Sequence, residues 1–64
     1  SWASVTQALL QRAGHDIGRI DGAFGPKSVA ALGAALGYTP SATQGIVARA
    51  DESIWPRLFA MPAA

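Results

Sequence analysis

Five side chains able to grip a polar ligand lie close together along the chain: Arg12, His15, Asp16, Arg19 and Lys27. Three fixed cations, an imidazole and a carboxylate suit ion pairing and hydrogen bonding to a molecule that carries carboxylates and amides. Lys27 also follows Gly25-Pro26, a helix start whose first amides favour an anion. Further on, Tyr38 and Trp55 offer aromatic faces able to stack on a ligand. Each has a plainer alternative. Arg12 and Arg19 read first as solvated surface charges, His15 as a loop histidine, Trp55 as a core residue and Trp2 as a packing lid.

Bond-making chemistry is not expected of this set. The chain has no cysteine and one histidine, Asp51-Glu52 is an adjacent pair suited to capping a helix, and no serine sits in a Gly-x-Ser-x-Gly elbow. The single His15 cannot build a zinc site without several carboxylate partners, so neither metal nor cofactor is expected. The reading is a binding module, not an enzyme.

The elements that must position these groups follow from caps and periodicity. Ser4-Val5-Thr6-Gln7 has capping-box spacing, with Trp2, Val5, Leu9 and Ala13 at helical intervals and Gly14 as a stop. These predict a helix over 5–13. From His15 to Phe24 no helical period appears, and Ile17 and Ile20 are expected to point inward and anchor an ordered loop. Asp21-Gly22 reads as a tight turn: glycine tolerates positive φ, and the carboxylate can accept from amides just downstream. Phe24 is expected to plug the core, with Gly25 as N-cap and Pro26 at the first helical position.

That helix is predicted over 26–36, with Val29, Leu32 and Leu36 as its buried stripe; Gly33 and the pairs Ala30-Ala31 and Ala34-Ala35 would allow a close neighbour. Thr39-Pro40 repeats the cap-then-proline start, predicting an extra helix over 40–49 with Ile46, Val47 and Ala50 on one face. A last helix is predicted over 53–60, where Ile54, Trp55, Leu58 and Phe59 are spaced for one apolar face and Pro56 is tolerable only in the first turn. Residues 61–64 are expected to fray. With no alternating strand pattern, the fold class is all-α: a small bundle of three main helices and an extra one.

Length and composition bound the rest. Sixty-four residues form one domain, 1–64, and a chain this short buries only about 60% of its unfolded surface. Fourteen of the apolar residues are alanine, which favours closely packed helices. A net charge of +1 is far from the basic stripe that nucleic-acid binding needs. No apolar run approaches the ~20 residues that span a bilayer, so neither nucleic acid nor membrane is an expected partner. The start, Ser1-Trp2-Ala3-Ser4, lacks an initiating methionine and the basic-then-apolar layout of a signal peptide, so the chain is expected to be a module of a longer protein.

Taken together, Val5-Thr6-Gln7-Ala8-Leu9-Leu10-Gln11-Arg12-Ala13-Gly14, the spacer His15 to Arg19, and Ile20-Asp21-Gly22-Ala23-Phe24-Gly25-Pro26-Lys27-Ser28-Val29-Ala30-Ala31-Leu32 resemble the peptidoglycan-binding domain family. The resemblance lies in a leucine-glutamine first helix, a glycine-bounded loop and a D-G-x-F-G-P-x-[ST] turn into an alanine-rich second helix, and it covers about half the chain. Gln44-Gly45-Ile46-Val47 with Ser53 to Leu58 is similar to a degraded second copy of that turn. It has Gln44 for the aspartate, no Gly-Pro pair, and extra length over Ala48 to Glu52.

The resemblance implies a noncatalytic, monomeric module that binds the glycan and stem peptide of bacterial cell-wall peptidoglycan and tethers an attached hydrolase. It implies an extracellular or periplasmic setting. Arg12, His15, Asp16, Arg19, Lys27 and Tyr38 would then be the ligand-contacting candidates, on a turn built by Asp21, Gly22, Phe24, Gly25 and Pro26. The alternative is a propeptide-like or docking module. An apolar surface near Gly33 and Ile46 would favour docking, and an open polar groove beside Asp21 to Lys27 would favour wall binding.

Overall fold

Capping residues and prolines set the boundaries in the computed structural model, which describes residues 1–64. Helix α1 spans Trp2–Arg12, α2 Pro26–Leu36 and α3 Pro40–Arg49. A 3-10 turn over Glu52–Ile54 then leads directly into α4, Trp55–Phe59. There are no strands, so the molecule is an all-α bundle, and the extra helix over 40–49 is present. Proline at the first helical position, preceded by Gly25 or Thr39, starts α2 and α3 where the sequence places them. Thr39 Oγ1 accepts the Ala42 N–H at 3.1 Å.

Helix α1 begins earlier than the predicted 5–13. Its N-cap is Ser1, whose Oγ accepts the Ser4 N–H at 3.2 Å, so Ser4 lies inside the helix and the expected capping box does not form. The predicted stripe of Trp2, Val5, Leu9 and Ala13 is also displaced. The buried residues of α1 are Thr6, Gln7 and Leu10, while Val5 is exposed. Polarity is no bar to burial here, because every buried side-chain polar atom has a hydrogen-bond partner. Thr6 Oγ1 donates to the Trp2 carbonyl at 2.7 Å and accepts from Trp55 Nε1 at 2.9 Å.

The core is Leu10, Ile17, Ala31, Leu32, Leu36, Ile46, Ile54 and Leu58. Leu10, Leu32 and Leu58 are fully buried, and each contributes roughly 1.5–3 kcal/mol from transfer out of water. Ile17 anchors the long loop as expected. Ile20 does not: its side chain is exposed, because the adjoining Asp21 and Gly22 amides turn inward to bind Gln7. On α2, Val29 is only half-buried, and Ser28, Ala31 and Gly33 join Leu32 and Leu36 on the inner face.

Gly33 is where α2 and α3 meet. A Cβ there would lie 3.0 Å from Thr43 Oγ1 and 3.2 Å from the Tyr38 carbonyl oxygen, so even alanine would require these neighbours to give by a few tenths of an ångström. Gln44-Gly45-Ile46-Val47 lies inside unbroken α3, so no second copy of the Asp-Gly turn exists at that position. Ala50, expected to share a face of this helix with Ile46 and Val47, is exposed and ends α3 in the left-handed region at φ 46°.

The final helical stretch, Glu52–Ile54 with Trp55–Phe59, lies within one residue of the predicted 53–60 but opens as a 3-10 turn. Asp51 Oδ1 accepts the Ser53 N–H at 2.9 Å and starts a 3-10 turn, and Pro56 then sits in the first turn of α4. Ile54 and Leu58 are buried, but Phe59 is 65% exposed. The tail over 61–64 is docked where fraying was expected. Met61 packs on the core, the Ala64 N–H donates to the Arg12 carbonyl at 2.9 Å, and Arg12 Nη1 donates to the Met61 carbonyl at 3.0 Å.

Candidate functional site

The turn at Asp21-Gly22 is held from inside by Gln7. Gln7 Oε1 accepts the N–H groups of Asp21 at 3.1 Å and Gly22 at 2.9 Å. Its Nε2 lies within donating distance of Asp21 Oδ1 at 3.2 Å, the Ala23 carbonyl at 3.0 Å and Ser28 Oγ at 3.1 Å. One carboxamide therefore ties α1 to the turn and to the first turn of α2. Asp21 Oδ1 also accepts the Ala23 N–H at 3.0 Å, closing the turn locally. That bond first, and the Gln7 carboxamide second, hold the Asp21 carboxyl below its ordinary value. At Gly22 φ is +75°, and an added Cβ would stand 3.1 Å from Ser4 Oγ, so the turn needs glycine for its conformation and its closeness to α1.

Around the turn the structure sorts the candidate contact residues. Asp16 and Lys27 come together: Nζ is 3.2 Å from Oδ2, and Asp16 Oδ1 accepts the Gly18 N–H at 3.1 Å. The Gly18 amide, then Lys27, lower the Asp16 carboxyl below its ordinary value. Arg19 and Lys27 border a small polar groove of about 170 Å³ whose wall includes Gln7 and Asp21. Arg12 is elsewhere. Its guanidinium donates to the Phe59 and Met61 carbonyls and lies 5.0 Å over the Phe59 ring, so it fastens α1 to the C-terminal segment. His15 is half-buried just after α1, where its backbone N–H donates to the Leu10 carbonyl at 3.0 Å, and it lines neither groove.

Tyr38 borders a second, larger groove of about 540 Å³ that runs between α2 and α3. Ala30, Gly33 and Ala34 lie along it, Phe24 and Pro26 stand at one side, and Tyr38, Pro40 and Gln44 at the other. Arg57 fixes the tyrosine. Its Nη1 donates to the Tyr38 hydroxyl at 2.7 Å, its Nη2 donates to the Leu36 carbonyl at 3.2 Å, and its guanidinium carbon is 5.3 Å from the ring centroid. Phe24 is half-buried. It packs on Trp2 at a centroid distance of 5.1 Å and turns its remaining surface to the groove.

Gly25 and Pro26 line both grooves, so the two meet at the start of α2. A polar groove bordered by Arg19 and Lys27 thus lies next to an apolar one walled by Tyr38. Gly33 lies on the apolar groove, whereas Ile46 is buried beneath α3 and is no part of it. The polar groove beside Asp21 to Lys27 is present, and a larger apolar one lies at Gly33 without Ile46. Sequence reasoning missed Val29, Ala30, Ala34, Pro40 and Gln44 as groove residues. The available signal was the run of small residues on α2, of which Ala30 and Ala34 stay exposed.

The two remaining aromatics are committed to packing. Trp2 Nε1 donates to the Asp51 carbonyl at 3.0 Å, and Trp55 donates to Thr6. No group of three or more His, Asp or Glu side chains converges to hold a metal ion, and no helix is long and apolar enough to cross a membrane. Compared with protein-family models, curated proteins and solved structures, the chain gives no match.

Proposed function

We propose that the chain is a noncatalytic module that binds bacterial cell-wall peptidoglycan through the joined grooves at the start of α2. The observation that carries this reading is the sharing of Gly25 and Pro26 between a polar groove and an apolar one. Peptidoglycan is amphiphilic in the matching way. Its acetamido, lactyl and alanine methyls suit the small-residue floor of the apolar groove, and its stem-peptide carboxylates suit Arg19 and Lys27. The Asp21-Gly22 turn serves as scaffold, since its carboxylate and amides are already engaged with Gln7 and Ala23.

On this reading the ligand contacts are Arg19, Lys27 and Tyr38, with Asp16 setting the position of Lys27. Arg12 and His15 drop out of the contact set. So open a site gives weak binding per module, and a repeating polymer or a tethered wall hydrolase supplies effective concentration. The setting is then the cell wall, outside the cytoplasmic membrane. Co-sedimentation with purified sacculi tests this. The chain pellets with the wall, and Arg19→Ala with Lys27→Ala pellets less while remaining folded.

A protein-docking module is the second reading. It is favoured by one observation: only Tyr38 and Gln44 bring polar side-chain atoms to the larger groove. The same experiment separates the two, because a docking module leaves the sacculi without it.

A further inference from the structure

The side of the bundle formed by α1 and α4 carries an apolar stripe that the proposed wall site does not use. Val5, Leu9, Trp55, Pro56 and Phe59 line a shallow hollow there of about 490 Å³, with Glu52 at its edge and no residue in common with either groove. Val5 is 40% and Phe59 65% exposed, so a protruding ring stands beside an apolar depression. Arg12 covers one face of that ring and leaves the rest free.

The stripe is electrically polar along its length. The contacts Trp2 to Asp51, Thr6 to Trp55 and Arg12 to Phe59 show that α1 and the 3-10 turn with α4 advance side by side in the same direction. Glu52 therefore marks the end near Val5, and Arg12 marks the end near Phe59. Glu52 makes no salt bridge within the chain, and Arg12 binds only carbonyls and a ring. A two-fold axis through the middle of the stripe sets Glu52 of each copy against Arg12 of the other and places each Phe59 toward the opposite hollow.

We propose that this face is a self-association surface, occupied by a second copy of the chain in an antiparallel, isologous arrangement. An opposite-charge pair at each end and a ring beside a hollow make the face complementary to itself, which a like-charged stripe would not be. The dimer is weak, because the patch is small and its charges are exposed. It leaves both wall grooves open and makes the assembly bivalent, a gain that a polymeric ligand converts into avidity.

Sedimentation equilibrium from about 10 μM to about 1 mM tests this at low salt. The average mass rises from 6.6 kDa toward twice that value, and added salt weakens the rise. Phe59→Ser weakens the dimer at least about tenfold. Glu52→Arg and Arg12→Glu each weaken it alone, and an equimolar mixture of the two regains association, because the mixed dimer has one end pair with reversed sign and the other with its original sign. If Arg12→Glu fails to fold, Phe59→Ser and Glu52→Arg decide the matter. A mass fixed at 6.6 kDa through about 1 mM overturns the proposal, as does a dimer indifferent to those two substitutions. A mixture of folded variants that stays monomeric overturns the antiparallel register.

Discussion

Gln7 and Asp21 bind each other twice: the Gln7 Nε2 donates to the Asp21 carboxylate at 3.2 Å, and its Oε1 accepts the Asp21 backbone N–H at 3.1 Å. The pair joins residues fourteen positions apart and fixes the loop against α1. Gln7 itself is 1% exposed, so its carboxamide makes these bonds out of contact with bulk water. Gln7→Ala should cost about 3 kcal/mol or more, since it strands the inward-facing Asp21 and Gly22 amides. Urea unfolding measures this. A loss under about 1 kcal/mol would mean that the turn holds itself.

That pair also marks where sequence reasoning reached and where it stopped. Helices α2 and α3 were legible because a cap followed by proline is a local signal. Gln7 was misassigned for the same reason: Ser4-x-x-Gln7 has capping-box spacing, yet the partners that claim Gln7 lie in a loop that only the tertiary fold brings near. The identity of Asp21-Gly22 as a scaffold was readable, while the groove was not. Ala30 and Ala34 become a groove floor only once α3 crosses α2 at Gly33. Arg12 was read as a contact candidate because composition cannot reveal that the tail returns to meet it.

Acid should destabilise the fold through three aspartates. Asp16, Asp21 and Asp51 all ionise below their ordinary value of 3.8, chiefly through bonds from Gly18, Ala23 and Ser53 respectively. Between the folded and unfolded titrations the unfolded chain binds more protons, so stability rises with pH there. The contribution is fully present above 3.8 and is lost as pH falls through the lower folded values. Urea midpoints across the acid range check this, and Asp21→Asn should flatten the dependence. A midpoint that stays level as pH falls below 3.8 would contradict it.

Arg57 should matter to binding through Tyr38. Arg57→Met removes the bonds to the Tyr38 hydroxyl and the Leu36 carbonyl, and frees the ring that walls the groove. The expected result is a stability loss of about 1 kcal/mol and wall binding weakened several-fold. Tyr38→Phe keeps the ring and should retain most binding, whereas Tyr38→Ala should not. Sacculus binding that is equal for the phenylalanine and alanine variants would remove Tyr38 from the site.

The most direct test of the joined-groove account is a sacculus-binding isotherm with one end of the site altered at a time. Ala34 is exposed on the apolar groove, so Ala34→Trp blocks that end without entering the core, and Arg19→Ala alters the polar end. The account predicts that the unaltered chain binds, that Ala34→Trp weakens binding at least about tenfold and that Arg19→Ala weakens it less, with helical circular dichroism unchanged. No binding above background at high micromolar protein, or two folded variants that bind like the original, would contradict it.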